Sequence, residues 1–186
     1  MNLANKITLV RICMIPLVVL FLYPYPNKAM EPYGEIIAAG IFLLAAVTDR
    51  LDGYVARTCN QVTRLGMLLD PLADKLLISA ALIVLVESHK LPSWIAAIVI
   101  AREMLITAIR IVAARKKIAL AADHWGKIKL AAQVAAVTAV ILNQELAFWF
   151  GGIEIDQILM YAAAVLTVYS GYHYWKNNRN RLELHG

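Results

Sequence analysis

The sequence predicts an all-α membrane protein with six transmembrane helices, formed by a single domain over residues 1–186. Of the 186 residues, 61% are hydrophobic and only 17% are charged, which is more apolar than one soluble core of this size requires. Several separate apolar runs approach the ~20 residues that a helix needs to cross a bilayer. A polytopic helical protein is the simplest interpretation of these two observations.

The six predicted spans follow one another as apolar runs bounded by Pro, Gly or charged residues. They cover residues 7–23, 36–57, 66–87, 92–114, 127–146 and 155–175. The first span is followed by a Pro-rich turn and by no small-residue cleavage site, so we interpret it as a mature helix. Pro92 opens the fourth span, and Gly151 and Gly152 precede the sixth.

The connectors predict how the helices are oriented. One set of connectors holds most of the basic residues, whereas the other holds only Lys28 and Lys90 among several acids, including Glu35. Because Lys and Arg are enriched in cytoplasmic loops, both termini are expected in the cytoplasm. The same bias accounts for the net charge of +5 without nucleic-acid binding.

Four aspartates lie towards the cytoplasmic ends of the second and third predicted spans. Spacings of three and four residues place each pair on one helical face. A charged residue inside a span costs roughly 2.5 to 3.5 kcal/mol, so four carboxylates require cations nearby. Carboxylate ligand sets suit hard ions such as Mg²⁺ or Mn²⁺, and paired ions commonly serve phosphate chemistry. The four residues are Asp49, Asp52, Asp70 and Asp74.

An alternative interpretation of these acids is a salt-bridged packing network. Arg50, Arg57 and Lys75 lie close to them in sequence, and charges within a membrane often pair with one another. This alternative gives no reason for acids to recur on one face beside Gly53 and Gly66. We therefore favour the metal site.

The segment 49–74 reads D-x-x-D-G-x-x-A-R-x(8)-G-x-x-x-D-x-x-x-D. It resembles the signature of the CDP-alcohol phosphotransferase family at every fixed position. The resemblance implies the fold of that family, a homodimer, and an active site on the cytoplasmic side of the bacterial inner membrane. It also implies that all four aspartates bind two Mg²⁺ or Mn²⁺ ions, and that Asp74 is the catalytic residue that takes the proton from the acceptor hydroxyl.

A second group of residues resembles the nucleotide contacts of the same family. Without that resemblance, Asn5 and Thr8 would be interpreted as satisfying a helix start, and Arg11 as extending to lipid head groups. With it, six residues are expected to bind CDP-diacylglycerol: Asn5, Thr8, Arg11, Gly53, Arg57 and Thr63.

Basic residues of the fourth and fifth spans are expected near the acidic site. A cationic pocket favours an acceptor that carries a phosphate, such as glycerol 3-phosphate or an inositol phosphate. These side chains could instead set topology and attract anionic lipid head groups. The candidate acceptor-phosphate residues are Arg110, Arg115, Lys127 and Lys129.

The segments 70–75 and 126–129 and the Arg102-Glu103 pair resemble bacterial family members that use glycerol 3-phosphate. The expected function is therefore transfer of the phosphatidyl group from CDP-diacylglycerol to sn-glycerol 3-phosphate, giving phosphatidylglycerophosphate and CMP. Alternatives are the same reaction with inositol phosphate, inositol or serine, or a divalent-cation transporter. Transport is disfavoured because the outward halves of the spans are almost wholly apolar.

Two further groups of polar residues receive structural interpretations. Arg102 and Glu103, near the middle of the fourth span, are expected to pair across helices rather than to act in catalysis. The aromatic residues near the end of the sixth span are interpreted as a belt at the membrane interface. They are Tyr169, Tyr172, Tyr174 and Trp175.

Overall fold

The computed structural model describes residues 3–23, 31–58, 64–115, 124–149 and 154–183. Side chains are described in these ranges except at 3–8, 31–32, 49–58, 64–74, 114–115, 124–125, 127, 144–145, 147 and 180–183.

Seven α-helices and no strand make up the described ranges, which confirms the all-α class. The helices are α1 (Leu3–Leu22), α2 (Glu31–Thr58), α3 (Arg64–Glu87), α4 (Ser93–Arg115), α5 (His124–Ile141), α6 (Asn143–Trp149) and α7 (Ile155–Glu183).

The predicted spans overlap these helices; α1 and α2 begin four and five residues earlier than predicted, and two larger differences lie near the C-terminal end. The fifth predicted span, 127–146, is divided by a turn at Leu142 into α5 and the short α6. The sixth predicted span ends at residue 175, whereas α7 continues to Glu183 because the polar segment after Trp175 keeps its helical backbone.

Within the described ranges, no helix is both long and apolar enough to cross a membrane. The prediction of six transmembrane helices is therefore not confirmed by the structure.

The helices pack through small and branched apolar side chains. The helix α1 contacts α2 and α3, while α7 contacts α4 and α5. Val18, Phe42, Leu82, Val137 and Met160 are almost completely buried in one continuous core. Alanines at several contacts let the helix backbones approach closely, as is common where apolar helices associate.

The turn between α3 and α4 is closed by a Schellman motif. The amide of Lys90 donates to the carbonyl of Leu85 (3.0 Å), and the amide of His89 donates to that of Val86 (3.1 Å). His89 has a φ of 56°, in the left-handed region that such a cap requires. The geometry sends the chain directly into α4.

Lys90 joins this turn to two other helices. Its ammonium lies 2.7 Å from the carboxylate of Glu35 on α2, and it donates at 3.4 Å to the carbonyl of Ile141, the last residue of α5. A cation at that position also complements the negative end of the α5 dipole. Lys90 and Glu35 belong to the set of connectors that the charge pattern assigned to one side of the membrane, and here they form an ion pair.

Candidate active site

The acidic motif lies on two helices, as its spacing predicted. Asp49 and Asp52 occupy helical positions in α2, and Asp70 and Asp74 occupy helical positions in α3. These two helices contact each other. The carboxylates themselves lie outside the described side chains.

The chemistry of this donor set fits a hard divalent cation. Four carboxylates offer only oxygen ligands, which is the set that Mg²⁺ and Mn²⁺ prefer. Among the side chains that are described, no group of three or more His, Cys, Asp or Glu could hold a metal ion. The sequence motif therefore stays the basis of the metal-site prediction.

Of the residues expected to bind CDP-diacylglycerol, Arg11 is the one whose side chain is described. It lies on α1, which packs against both helices of the acidic motif, and it is only 1% exposed. This burial argues against Arg11 as a side chain that extends to lipid head groups. Asn5, Thr8, Gly53 and Arg57 lie on helical backbone without described side chains, and Thr63 lies outside the described residues.

A buried charge network connects α4, α5 and α7. The ammonium of Lys129 on α5 donates to the carboxylate of Glu103 on α4. The Arg102 guanidinium lies 3.4 Å from the same carboxylate and donates to the hydroxyl of Ser170 on α7 at 2.6 Å. The charge of Lys75, the neighbour of Asp74 in sequence, also acts on Glu103. Arg102 and Glu103 thus each contact a residue of another helix, which confirms the expected pairing role across helices.

Arg110 is the candidate acceptor residue that solvent reaches most freely among those described. Its guanidinium carbon lies 5.1 Å from the centre of the Tyr174 ring, and its Nε donates to the Tyr174 hydroxyl at 3.4 Å. Lys129, by contrast, is buried against Glu103. The side chains of Arg115 and Lys127 lie outside the described set.

Tyr174 corrects one interpretation drawn from the sequence. Its side chain is only 2% exposed and supports Arg110 from beneath, so it does not belong to an interfacial belt. The belt interpretation treated the late aromatics as one group, although Tyr174 lies on the face of α7 that packs inward. Tyr172 and Trp175, at 64% and 50% exposed, point away from the core.

Sequence reasoning also missed the buried polar side chains of α5 and α7. The Gln133 amide donates to the Thr167 hydroxyl at 3.1 Å, and Ser170 holds Arg102. Thr167, Ser170 and Tyr174 recur at spacings of three and four residues. That period was the available signal, because polar residues on one face of an apolar helix indicate a polar contact.

The chain belongs to the CDP-alcohol phosphatidyltransferase family, whose model matches residues 1–169. The resemblance drawn from the eight-position motif is thus confirmed.

Individual relatives match nearly the whole chain. A protein of Bacillus subtilis is 40% identical over 98% of this chain and 97% of its own length. A protein of Salmonella choleraesuis is 37% identical over 97% of each chain, and one of Rickettsia felis is 34% identical over 94% of each. All three are named CDP-diacylglycerol--glycerol-3-phosphate 3-phosphatidyltransferase.

Proposed function

We propose that this protein transfers the phosphatidyl group of CDP-diacylglycerol to sn-glycerol 3-phosphate. The products are phosphatidylglycerophosphate and CMP. The observation that carries the proposal is the 40% identity, over 98% of the chain, to a Bacillus subtilis protein named for this reaction. The complete acidic motif supports the same phosphatidyl-transfer chemistry, because four carboxylates can hold the divalent ions that such a reaction uses.

In the proposed reaction, the acceptor hydroxyl attacks the phosphorus that bears the diacylglycerol. The bond from that phosphorus to the oxygen of CMP breaks, and CMP leaves with the electron pair. Asp74 takes the proton of the hydroxyl, which raises the nucleophilicity of the oxygen as the new bond forms. The reaction needs no covalent intermediate with the protein.

Asp49, Asp52, Asp70 and Asp74 would hold two Mg²⁺ or Mn²⁺ ions. When bound, these ions would supply the positive charge that neutralises the diphosphate. The residues proposed to bind the cytidine and phosphates of CDP-diacylglycerol are Asn5, Thr8, Arg11, Gly53, Arg57 and Thr63.

The acceptor phosphate is proposed to bind Arg110, Arg115, Lys127 and Lys129. Arg110 suits this role because it is exposed and because its guanidinium lies over the Tyr174 ring. A planar guanidinium can bind a phosphate with two hydrogen bonds. Lys129 is buried and its charge is balanced by Glu103, so binding the acceptor phosphate would require its ammonium to share or leave that carboxylate.

We further propose that the enzyme works as a homodimer in the bacterial inner membrane, with its active site and both termini on the cytoplasmic side. Its lipid substrate requires contact with a bilayer. Large apolar side chains are exposed on every long helix from α1 to α7, which is far beyond the scattered exposure of a soluble monomer. Examples are Leu20 (57%), Leu44 (57%), Ile83 (60%), Leu105 (64%) and Val165 (68%).

The test supplies the purified protein in lipid micelles with Mn²⁺ or Mg²⁺ and CDP-diacylglycerol. CMP release is then compared for glycerol 3-phosphate, inositol phosphate, inositol and serine at equal concentrations. We expect release with glycerol 3-phosphate, and its loss when EDTA is added. Release with serine or inositol alone would refute the acceptor, and full activity in EDTA would refute the metal site.

A further inference from the structure

An open apolar groove follows the contact between α4 and α7. Its volume is about 470 Å³, within the range of small-molecule sites, and its surface is almost entirely apolar. At one end the rings of Trp94 and Tyr161 lie 6.0 Å apart. The main lining residues are Trp94 and Ile98 from α4 and Tyr161, Val165, Val168 and Tyr172 from α7.

The α7 side of the groove continues into two cations. Lys176 and Arg179 follow Tyr172 at spacings of four and three residues, so they extend the same helical face. Both are exposed, and neither forms an ion pair with any described residue. The sequence of α7 contains no acidic residue between Gln157 and Glu183. Among the described side chains of α7, this end of the apolar face therefore carries two cations and no acid.

We infer that this groove binds one anionic phospholipid, with an acyl chain along Val165 and Val168 and the phosphate at Lys176 and Arg179. The inference rests on the membrane location proposed above. At ~1.5 Å per helical residue, Val165 lies roughly 16 Å along α7 from Lys176, about half of a ~30 Å hydrocarbon core. One acyl chain of a single leaflet matches that length.

Charge argues for a lipid over a second copy of the chain as the occupant. In a two-fold dimer the same surface patch of both protomers meets, so two basic ends would face each other across this interface. An anionic head group instead neutralises both cations, and its chain covers the apolar lining. The groove differs from the proposed substrate sites, because α4 and α7 carry none of the residues proposed to bind metal or CDP-diacylglycerol. Arg110 of α4, proposed to bind the acceptor phosphate, is not among the described residues that line the groove.

The test uses Trp94 as a reporter inside the groove. In a protein with Trp125, Trp149 and Trp175 replaced by Phe, Trp94 fluorescence is measured in phosphatidylcholine bilayers. Phosphatidylglycerol or phosphatidylcholine with brominated chains is then added as a quencher. We expect half-maximal quenching at a mole fraction roughly fivefold lower for the anionic lipid, because each cation near a bilayer surface attracts anionic lipid. The variant Lys176→Gln/Arg179→Gln should abolish that difference.

A matched reporter is a protein that keeps Trp149 alone. Trp149 is 79% exposed on α6 and does not line the groove, so both lipids should quench it equally. Equal quenching of Trp94 by both lipids, or a preference that survives removal of both cations, would overturn the inference. Trp94 quenched by neither lipid would overturn it in favour of a second copy.

The readout needs no turnover, so the two proposals can fail separately. If the Trp94 protein forms product from glycerol 3-phosphate but shows no lipid preference, the groove assignment alone is wrong. If the preference is present while glycerol 3-phosphate gives no CMP release, the proposed function alone is wrong.

Discussion

The ammonium of Lys129 on α5 donates a hydrogen bond to the carboxylate of Glu103 on α4. Both side chains are largely withdrawn from solvent, at 6% and 14% exposed. The pair connects two helices, α4 and α5, that a connector separates along the chain. Burial makes each partner depend on the other, because an isolated charge would be costly at this position.

Replacement Glu103→Gln is expected to lower the free energy of unfolding by about 3 to 5 kcal/mol, because it leaves the Lys129 ammonium buried without its counter-ion. Denaturant unfolding in micelles measures the loss. The double variant Glu103→Gln/Lys129→Met should be more stable than Glu103→Gln alone. A double variant with the summed loss of both single changes would show that the two residues do not interact.

The free energy of unfolding of Gly171→Ala should be lower than that of Gly40→Ala by about 1 kcal/mol or more, although both glycines lie within helices. A methyl group at Gly171 would meet the Arg102 side chain at 3.2 Å, whereas nothing lies within 4 Å of the matching position at Gly40. The Arg102 side chain, which donates to Ser170, would have to move by a few tenths of an ångström to admit the methyl group. Equal unfolding free energies for the two variants would contradict the packing described here.

His89→Gly is expected to stabilise the protein by about 1 kcal/mol, because glycine adopts the left-handed backbone of the α3 cap without strain. The control His89→Ala keeps the strain and should gain nothing. Thermal unfolding of the three proteins in one detergent tests this. A gain in the alanine variant equal to that in the glycine variant would mean that the imidazole, not the backbone, limits stability.

Asp74→Asn should reduce CMP release by at least about 100-fold, since the amide cannot accept the proton of the acceptor hydroxyl. The protein should still insert into membranes. Glu87→Gln is the matched control, because Glu87 is an exposed acid on the same helix, and it should keep normal turnover. Near-normal release by Asp74→Asn would disprove the assignment of the base.

Arg110→Gln should raise the KM for glycerol 3-phosphate by about tenfold or more, the value of one charge-assisted hydrogen bond, while leaving the KM for CDP-diacylglycerol nearly unchanged. Tyr174→Phe keeps the ring beneath the guanidinium and removes only a 3.4 Å hydrogen bond, so its effect should be smaller. Steady-state kinetics with each substrate varied in turn distinguishes these effects. Equal changes in both KM values would indicate a general structural role.

Patterns that are local along the chain were predictable. Apolar runs and their breaks predicted the all-α class and most helix positions, because helix formation depends on neighbouring residues. The spacing from Asp49 to Asp74 predicted the family, which similarity over residues 1–169 confirms. The turn at Leu142 was missed because the apolar pattern continues across it. The last part of α7 was missed because the predicted span ended where the residues become polar, whereas the helix continues to Glu183.

The sequence by itself determined the class of enzyme, since a motif at fixed spacing and an apolar composition need no knowledge of contacts. Only the tertiary structure decided which partner Lys129 has, that Tyr174 lies beneath Arg110, and that α4 and α7 leave an apolar groove between them. The physical reason is that such contacts join residues from different helices. Their distances follow from how helices pack, and periodicity along one helix contains no information about its neighbours.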